Sequence, residues 1–148
     1  MSQKIKNSTK TFRPTTKGFV REVYLLDASK EPVGRLATKA ARLLMGKNRA
    51  DYSPDVNMGG VVVVINTDKL IMTGQKLERK NYFRHTGRPG SLKIVTMPQQ
   101  MSKDSTVPVY KAIKNMIPKN RQQDVRMNNL LHLYKGDHDM TQKMIPAN

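Results

Sequence analysis

Five consecutive β-branched aliphatic residues, Val61 to Ile65, are the stretch that most constrains the fold of this chain. β-Branched side chains lose little rotamer freedom in a strand but crowd a helix, and five residues are too few for a buried helix. No polar residue alternates with them, a pattern typical of strands that helices cover on both faces. The run therefore predicts a strand over 61–66 at the centre of a small α/β sheet. A buried edge strand of an antiparallel sheet is the alternative.

The composition indicates a basic domain that needs a polyanionic partner. The 148 residues suffice for one domain with a real core, although only 37% of them are hydrophobic. There are 27 Lys and Arg against 11 Asp and Glu, so the formal net charge is +16. Self-repulsion of this size opposes compaction unless a polyanion neutralises it, and nucleic acid is the natural candidate. An anionic membrane is the competitor, but the chain has no Trp anchor and no apolar run of about 18 residues, so we expect no membrane partner.

We expect three regions along the chain: a basic N-terminal arm over 1–19, a single domain over 20–140, and a tail over 141–148. The arm carries no acid, which is typical of an organelle transit peptide and also of a disordered arm that orders on RNA. Because lysine predominates and Pro14 interrupts any helix, we favour the RNA-binding arm. Its cations are Lys4, Lys6, Lys10, Arg13 and Lys17.

An amphipathic helix is predicted over 33–45, after a strand near 20–26 and before Gly46, which suits a helix end. Its apolar residues fall on one side, and three cations stack on the other at spacings of four and three. These cations repel one another unless a phosphate backbone lies against them. We interpret the stripe as RNA-facing, with a solvated basic face as the alternative. The stripe consists of Arg35, Lys39 and Arg42.

Two loops add further candidate RNA-binding residues. The polar loop over 46–58 contributes Lys47 and Arg49, while Tyr52 either stacks on a base or packs back on the domain. The segment over 69–93 combines basic residues with a predicted third strand, 81–85, and a glycine-proline loop where the backbone can approach phosphate closely. A plain solvated loop is the alternative. Its candidate residues are Lys76, Arg79, Lys80, Arg84, His85, Thr86, Gly87 and Arg88.

Two helices, a further helical stretch and a last strand are expected in the remainder of the domain. Thr96 is suited to cap a short helix, and Asp104 or Ser105 to cap a second one that Pro118 ends. A helical stretch near 122–129 and a fourth strand over 130–134 follow. The second helix is predicted to bury Val109, Ile113, Met116 and Ile117. Between the second helix and the helical stretch near 122–129, a basic corner adds the candidate RNA-binding residues Lys119 and Arg121.

No pattern in the sequence indicates catalysis or a cofactor. The chain lacks Cys, a nucleophile elbow, a phosphate-binding P-loop and the glycine-rich dinucleotide fingerprint. The three histidines have no recognisable catalytic partner, and one imidazole between the two carboxylates at 137–139 is a weak metal pattern. We therefore expect no enzyme activity, no cofactor, no metal and no small-molecule substrate.

Several short motifs, in this order and spacing, resemble the universal large-subunit ribosomal protein L13 family of bacterial type. The resemblance covers about residues 20–140, and each motif alone is weak while their joint order is specific. Asn115, Asn120 and the loop over 88–91 depart from the family pattern. The motifs are Val23–Ala28, Gly34–Thr38, Gly46–Lys47, Tyr52–Val56, Val64–Asn66, Thr73–Lys76, Tyr82–Gly87 and Met116–Lys119.

The resemblance implies a three-layer α/β/α fold with a four-stranded, mostly parallel sheet. It also implies binding to large-subunit ribosomal RNA, early participation in subunit assembly, neighbouring ribosomal proteins as partners and no catalysis. The expected location is the ribosome of the cytoplasm, with an organellar ribosome as the alternative. Two other functions are weighed against this one: a regulator that binds messenger RNA or DNA outside the ribosome, and, less favoured, a nucleotide-binding enzyme with its site in the crevice beyond Asn66.

Overall fold

The computed structural model describes residues 13–15 and 19–137. This part of the chain begins with a strand, a helix and a second strand, which a short 3₁₀ turn follows; later two strands are consecutive, and three consecutive helices precede the last strand. The strands are β1 (Val23–Asp27), β2 (Val61–Ile65), β3 (Asn81–Arg84), β4 (Lys93–Thr96) and β5 (Leu131–Leu133). The helices are α1 (Val33–Met45), α2 (Lys76–Arg79), α3 (Met97–Lys103), α4 (Thr106–Met116) and α5 (Arg121–Asn129).

The main sheet is parallel, and its strand order is β1-β2-β5. The valine-rich strand β2 lies in the centre, as predicted, and its last four residues are buried. In the register, Leu25 of β1 lies beside Val63, which in turn lies beside His132 of β5. The predicted central strand of an α/β sheet is therefore confirmed, and the antiparallel-edge alternative is wrong.

The predicted four-stranded sheet is wrong in its strand count for the described residues. The segment predicted as a third strand over 81–85 forms β3, but β3 pairs antiparallel with β4 in a separate two-stranded sheet. The strand β4 was not predicted. Short strands can pair with any nearby edge, because strand propensity does not specify the partner. The protein therefore carries a parallel sheet and a separate β3–β4 hairpin.

Helix α1 has the bounds predicted for it, and its apolar face lies in the core. Ala and Leu residues of this face pack with Val62 and Val64 of β2 and with Val109 and Ile113 of α4 in one cluster. The helix ends at Gly46, whose φ of 77° lies in the left-handed region that favours glycine. The buried residues of α1 are Leu36, Ala37, Ala40, Ala41, Leu44 and Met45.

The face of the sheet away from α1 and α4 is less completely covered by helices than the predicted three-layer α/β/α fold requires. Side chains alternate along a strand, so Val63 and Ile65 point away from the α1–α4 cluster. Both are buried, but on the edge strand Val23 and Leu25 of this face are 43% and 47% exposed. The helices of the described residues therefore do not fully cover this face at β1.

The second half of the domain has the predicted helix caps, but one residue predicted to be buried is exposed. The Gln99 Oε1 atom accepts a hydrogen bond from the Thr96 amide at the start of α3, and the Asp104 carboxylate accepts one from the Thr106 amide at the start of α4. Ile117 is buried, as predicted, whereas Met116 is 41% exposed and its predicted burial is wrong. The helix ends at Met116, so the extended backbone at Ile117 turns that side chain into the core instead.

Candidate nucleic-acid interface

Helix α1 presents its three predicted cations on the solvent side. Arg35, Lys39 and Arg42 are all exposed, because the opposite face of the helix is buried in the core. Lys39 pairs with Glu31, which lies one residue before the helix-capping Pro32. Among the described residues, no hydrogen bond or ion pair engages the side chain of Arg35 or of Arg42. These two guanidinium groups are therefore available to an external anion, and part of the repulsion predicted along the stripe is relieved by Glu31.

The two cations of the loop after α1 have different surroundings. Lys47 is exposed, and in the described part of the chain its ammonium group has no ion-pair partner. The Arg49 guanidinium instead donates to both carboxylate oxygens of Asp51, at 2.9 and 3.2 Å. It also lies 3.7 Å from Glu22 and 4.8 Å from the centroid of the Phe19 ring. Arg49 therefore fastens the loop to the chain before β1, a role the sequence pattern did not indicate.

The hydrogen bonds between Arg49 and Asp51 also shift the pKa values of both side chains. They lower the pKa of Asp51 below its usual value, and they raise the pKa of Arg49 itself. Both groups are charged at neutral pH in any case, so the pair stays intact there. A cation held in this way on two acids is less available to phosphate than Lys47 is.

Replacing Arg49 by alanine is therefore expected to act on stability, unlike the same change at Lys47. Arg49→Ala removes the two hydrogen bonds to Asp51 and the stacking on Phe19, so the midpoint of thermal unfolding should fall by about 2–4 °C. Lys47→Ala removes an exposed cation and should leave the midpoint unchanged, within about 1 °C. Differential scanning calorimetry of both variants measures this difference. Equal midpoints for the two variants would contradict the anchoring role of Arg49.

Tyr52 lies on the surface near a buried cation that sequence reasoning did not single out. The Tyr52 side chain is 36% exposed, so it is neither fully packed on the domain nor fully free. Arg126 of α5 is only 2% exposed and donates hydrogen bonds to Gln122 Oε1 at 2.6 Å and Asn57 Oδ1 at 3.4 Å. Desolvation lowers the pKa of Arg126. Arg126 is therefore a structural cation that holds the 53–57 loop on α5.

The β3–β4 hairpin and α2 carry the largest group of exposed cations. The hairpin loop is ordered by its own hydrogen bonds: the Gly87 amide donates to His85 Nδ1 at 2.9 Å, and the Ser91 amide donates to the Arg88 carbonyl at 3.1 Å. Gly87 has a φ of 87°, and nothing lies within 4 Å of where a Cβ would be. The exposed predicted residues of this group are Lys76, Arg79, Lys80, Arg84, His85, Thr86, Gly87 and Arg88.

The remaining predicted residues fall into two sets. Lys119 and Arg121 are exposed at the start of α5, and Arg13 is an exposed cation whose Nε lies 3.0 Å from Asp55 Oδ2. Arg121 is the first residue of α5, where the helix dipole disfavours a positive charge and an external anion would relieve it. The other arm cations lie outside the described residues: Lys4, Lys6, Lys10 and Lys17.

The packing of the helices links these groups of cations. Lys111 of α4 lies 4.1 Å from the centroid of the Tyr82 ring in β3, which attaches the hairpin to α4. Helix α4 in turn packs with α1 in the core cluster, and the Thr38 hydroxyl of α1 lies 3.4 Å from the Met116 sulfur. Helix α4 therefore contacts both α1, which bears the cationic face, and the basic hairpin.

The crevice at the carboxyl end of the parallel sheet is occupied by side chains that bond one another. Asp27 Oδ1 accepts hydrogen bonds from the Ser29 amide and hydroxyl, at 2.9 and 2.7 Å, and from Asn66 Nδ2 at 3.3 Å. The hydrogen bonds from Ser29 lower the pKa of Asp27. Asp27 Oδ1 thus has three donors within the protein, and Oδ2 lies 3.8 Å from Lys30 Nζ. These contacts order the turn after β1.

The histidine and acidic side chains form no metal centre in the part of the chain that the structure describes. His132 lies on β5 beside Val63, and His85 accepts a hydrogen bond within the hairpin loop. Residues 138–139 of the weak metal pattern are outside the described residues. Within the described ranges, no helix has both the length and the apolar character needed to cross a membrane.

The family model described as "Ribosomal protein L13" matches residues 21–140 of the chain. The chain is similar to the protein named "Large ribosomal subunit protein uL13" from Thermobifida fusca, with 40% identity over 93% of this chain and 92% of that protein. It is also similar to the protein of that name from Pelotomaculum thermopropionicum, with 42% identity over 85% and 87%, and from Thermotoga maritima, with 45% identity over 69% and 68%. The resemblance read from the short motifs is confirmed: the chain belongs to the ribosomal protein L13 family.

Proposed function

We propose that this protein is a structural constituent of the large ribosomal subunit that binds the ribosomal RNA and supports early subunit assembly. The observation that carries the proposal is the family membership over most of the chain, together with a net charge of +16. The relatives named above are large-subunit proteins by name. The role is one of scaffolding rather than catalysis, and its site of action is the ribosome of the cytoplasm.

The binding surface consists of cations without acidic partners in the described part of the chain. Those of α1 and its loop are Arg35, Arg42 and Lys47. Lys39 and Arg49 instead form ion pairs with Glu31 and Asp51, which partly neutralise them. A second set lies on α2 and the hairpin, and a third at the start of α5. Each such cation that meets a phosphate releases a condensed counterion, so affinity comes mainly from phosphate neutralisation.

Two further features suit RNA rather than a double-stranded DNA groove. The hairpin loop offers His85, Thr86 and Gly87 on an ordered backbone, where an unpaired base or a phosphate oxygen can approach without meeting a Cβ at Gly87. The arm over 1–19 adds cations that thread between RNA helices in this proposal. Specificity then comes from RNA shape and unpaired bases, because side chains do not read the deep groove of A-form helices.

The proposal predicts a steep salt dependence. With roughly 6–10 phosphate contacts, the affinity for large-subunit ribosomal RNA should fall by about 10³–10⁵ between 50 and 200 mM salt. Filter binding of the purified protein to this RNA across that range measures the slope. A slope near zero would contradict binding through phosphates.

Sedimentation separates the ribosomal role from the alternative of a regulator bound to messenger RNA. A constituent of the subunit stays with the large-subunit peak after a wash in high salt, because protein and RNA contacts on several sides hold it there. A regulator that binds RNA elsewhere leaves that peak. Recovery of the protein only in the ribosome-free fractions would overturn the proposal.

A further inference from the structure

The turn between α4 and α5 bears two of the proposed RNA-binding cations. Lys119 and Arg121 are exposed there, and among the described residues neither side chain has a hydrogen bond or an ion pair. We call residues 118–121 the basic corner. Ile117 before it is 2% exposed, and Gln123 after it is 7% exposed. The cations therefore lie on a short stretch of chain with a buried side chain close to each end.

The buried glutamine fixes the end of α4 that leads into the basic corner. Gln123 Nε2 donates hydrogen bonds to the Lys114 carbonyl at 2.7 Å and to the Ile117 carbonyl at 3.0 Å. The last carbonyls of a helix have no partner within that helix, so Gln123 supplies one that α4 lacks. Because both acceptors are carbonyl oxygens, this position needs a donor, and the glutamine amide presents two on one nitrogen.

The backbone of the basic corner is bonded to the same residue. The Gln123 amide donates to the Asn120 carbonyl at 2.9 Å, and the Asn120 amide donates to the Pro118 carbonyl at 2.9 Å. The proline ring in addition fixes the backbone angle φ of its own residue. Gln123 thus bonds α4 through its side chain and the corner through its backbone.

A backbone that is fixed in advance favours phosphate binding by the two cations. A loop that becomes ordered only on binding loses conformational entropy at that moment, whereas a loop that is already ordered does not. Lys119 and Arg121 are also like charges close together, and Arg121 lies at the positive end of the α5 dipole. The cations would therefore move apart in the free protein if the backbone did not hold them.

We propose that Gln123 is a positioning residue for RNA binding: its buried amide holds the basic corner so that Lys119 and Arg121 meet phosphates of the ribosomal RNA in one geometry. This inference rests on the proposed function. It adds to the binding surface an uncharged residue that acts through the corner, since its own side chain is buried.

The salt dependence of RNA binding tests this role, because a buried, uncharged residue of a folded protein changes the number of phosphate contacts only by moving cations. Gln123→Met keeps a long unbranched side chain and removes both donors. For large-subunit ribosomal RNA, the slope of log affinity against log salt should decrease by about one, and affinity at 100 mM salt should fall by about tenfold. In a background of Lys119→Ala with Arg121→Ala, the same change should reduce affinity by less than about twofold. An unchanged slope, or an equal loss in both backgrounds, overturns the proposal.

Gln122→Met is the matched control. The Gln122 amide donates to the Asp55 carbonyl at 2.7 Å, and Gln122 Oε1 accepts a hydrogen bond from Arg126, so this change also removes two hydrogen bonds, but at the 53–57 loop. Its effect on RNA affinity should be the same with and without the two corner cations. If Gln122→Met depends on those cations as strongly as Gln123→Met does, a general loss of stability explains both results and the proposal is overturned.

The unaltered chain gives a readout that does not require a variant to fold. In the absence of RNA, NMR relaxation of the amides at 119–121 should give order parameters of about 0.85, the value of a rigid backbone. Values below about 0.6 would mean that only RNA orders the corner, which overturns the proposal. If the unaltered chain does not bind the ribosomal RNA at all, the proposed function fails and this inference fails with it.

Discussion

Arg35→Glu combined with Arg42→Glu is expected to abolish incorporation into the large subunit while the isolated domain stays folded. Both side chains are exposed on α1, and among the described residues neither has a hydrogen bond or an ion pair to lose. Each reversal removes one phosphate contact and places a negative charge against the RNA backbone. The salt slope of RNA binding should decrease by about two, and affinity at 100 mM salt should fall by at least about 100-fold.

The measurement is the amount of the variant that sediments with large subunits, together with its thermal midpoint. A matched control changes the net charge equally at two exposed lysines that the proposed surface leaves out, Lys69→Glu with Lys103→Glu. The control should enter the subunit nearly as well as the unaltered chain. Normal incorporation of the α1 variant would show that this face of the helix does not meet the RNA. Equal loss in both variants would show that only the net charge counts.

The local features of the fold could be predicted because their causes lie within a few residues. The amphipathic spacing of α1, its end at Gly46 and the β-branched run of β2 each fix a local conformation without distant partners. Even the cap of α3 at Thr96 needs only Gln99, three residues later. For these elements, the residues that form the sequence pattern are also the residues whose local interactions stabilise the structure.

The pairing of the strands could not be predicted, because it depends on distant edges. The sequence predicts the segment around Phe83 as a strand of the main sheet, whereas Phe83 pairs with Ile94 in a separate hairpin. The antiparallel partner is closer in the chain, and bringing two strands together across about ten residues costs less loop entropy than a longer crossover. The strand β4 does contain three consecutive β-branched residues, Ile94, Val95 and Thr96, after a glycine-proline loop. This pattern is typical of a strand, but it does not specify which strand is its partner.

The same distinction applies to the candidate site. The types of residue and their exposure could be read from the spacing along α1, but the partners that neutralise some cations could not. Lys39 is paired with Glu31, eight residues earlier, and Arg49 lies near Glu22, 27 residues earlier in the chain. Arg126 was not singled out, because a cation buried against neutral oxygens looks like a solvated one in sequence. A charge pattern therefore predicts a binding surface, whereas the fold decides which charges remain available to it.

The close approach between the end of α1 and the start of β2 leads to the second large expected effect. A Cβ added at Gly59 would lie 1.9 Å from the Leu44 carbonyl oxygen and 2.7 Å from its carbonyl carbon. Both atoms belong to the backbone of the last turn of α1, and the neighbouring Gly60 amide donates to the Leu43 carbonyl at 3.2 Å. Because backbone atoms cannot rotate away as a side chain can, Gly59→Ala has to separate α1 from β2.

This separation would disturb the core that α1 shares with β2 and α4, so Gly59→Ala should destabilise the domain by about 3–5 kcal/mol. A domain of this kind has only about 5–15 kcal/mol in total. The matched control is Gly34→Ala: nothing lies within 4 Å of the added Cβ, and alanine in a helix should stabilise by about 0.5–1 kcal/mol. Urea unfolding followed by circular dichroism compares the two variants. Similar midpoints would mean that α1 and β2 can move apart at little cost, and the tight packing described for the central strand would then be incorrect.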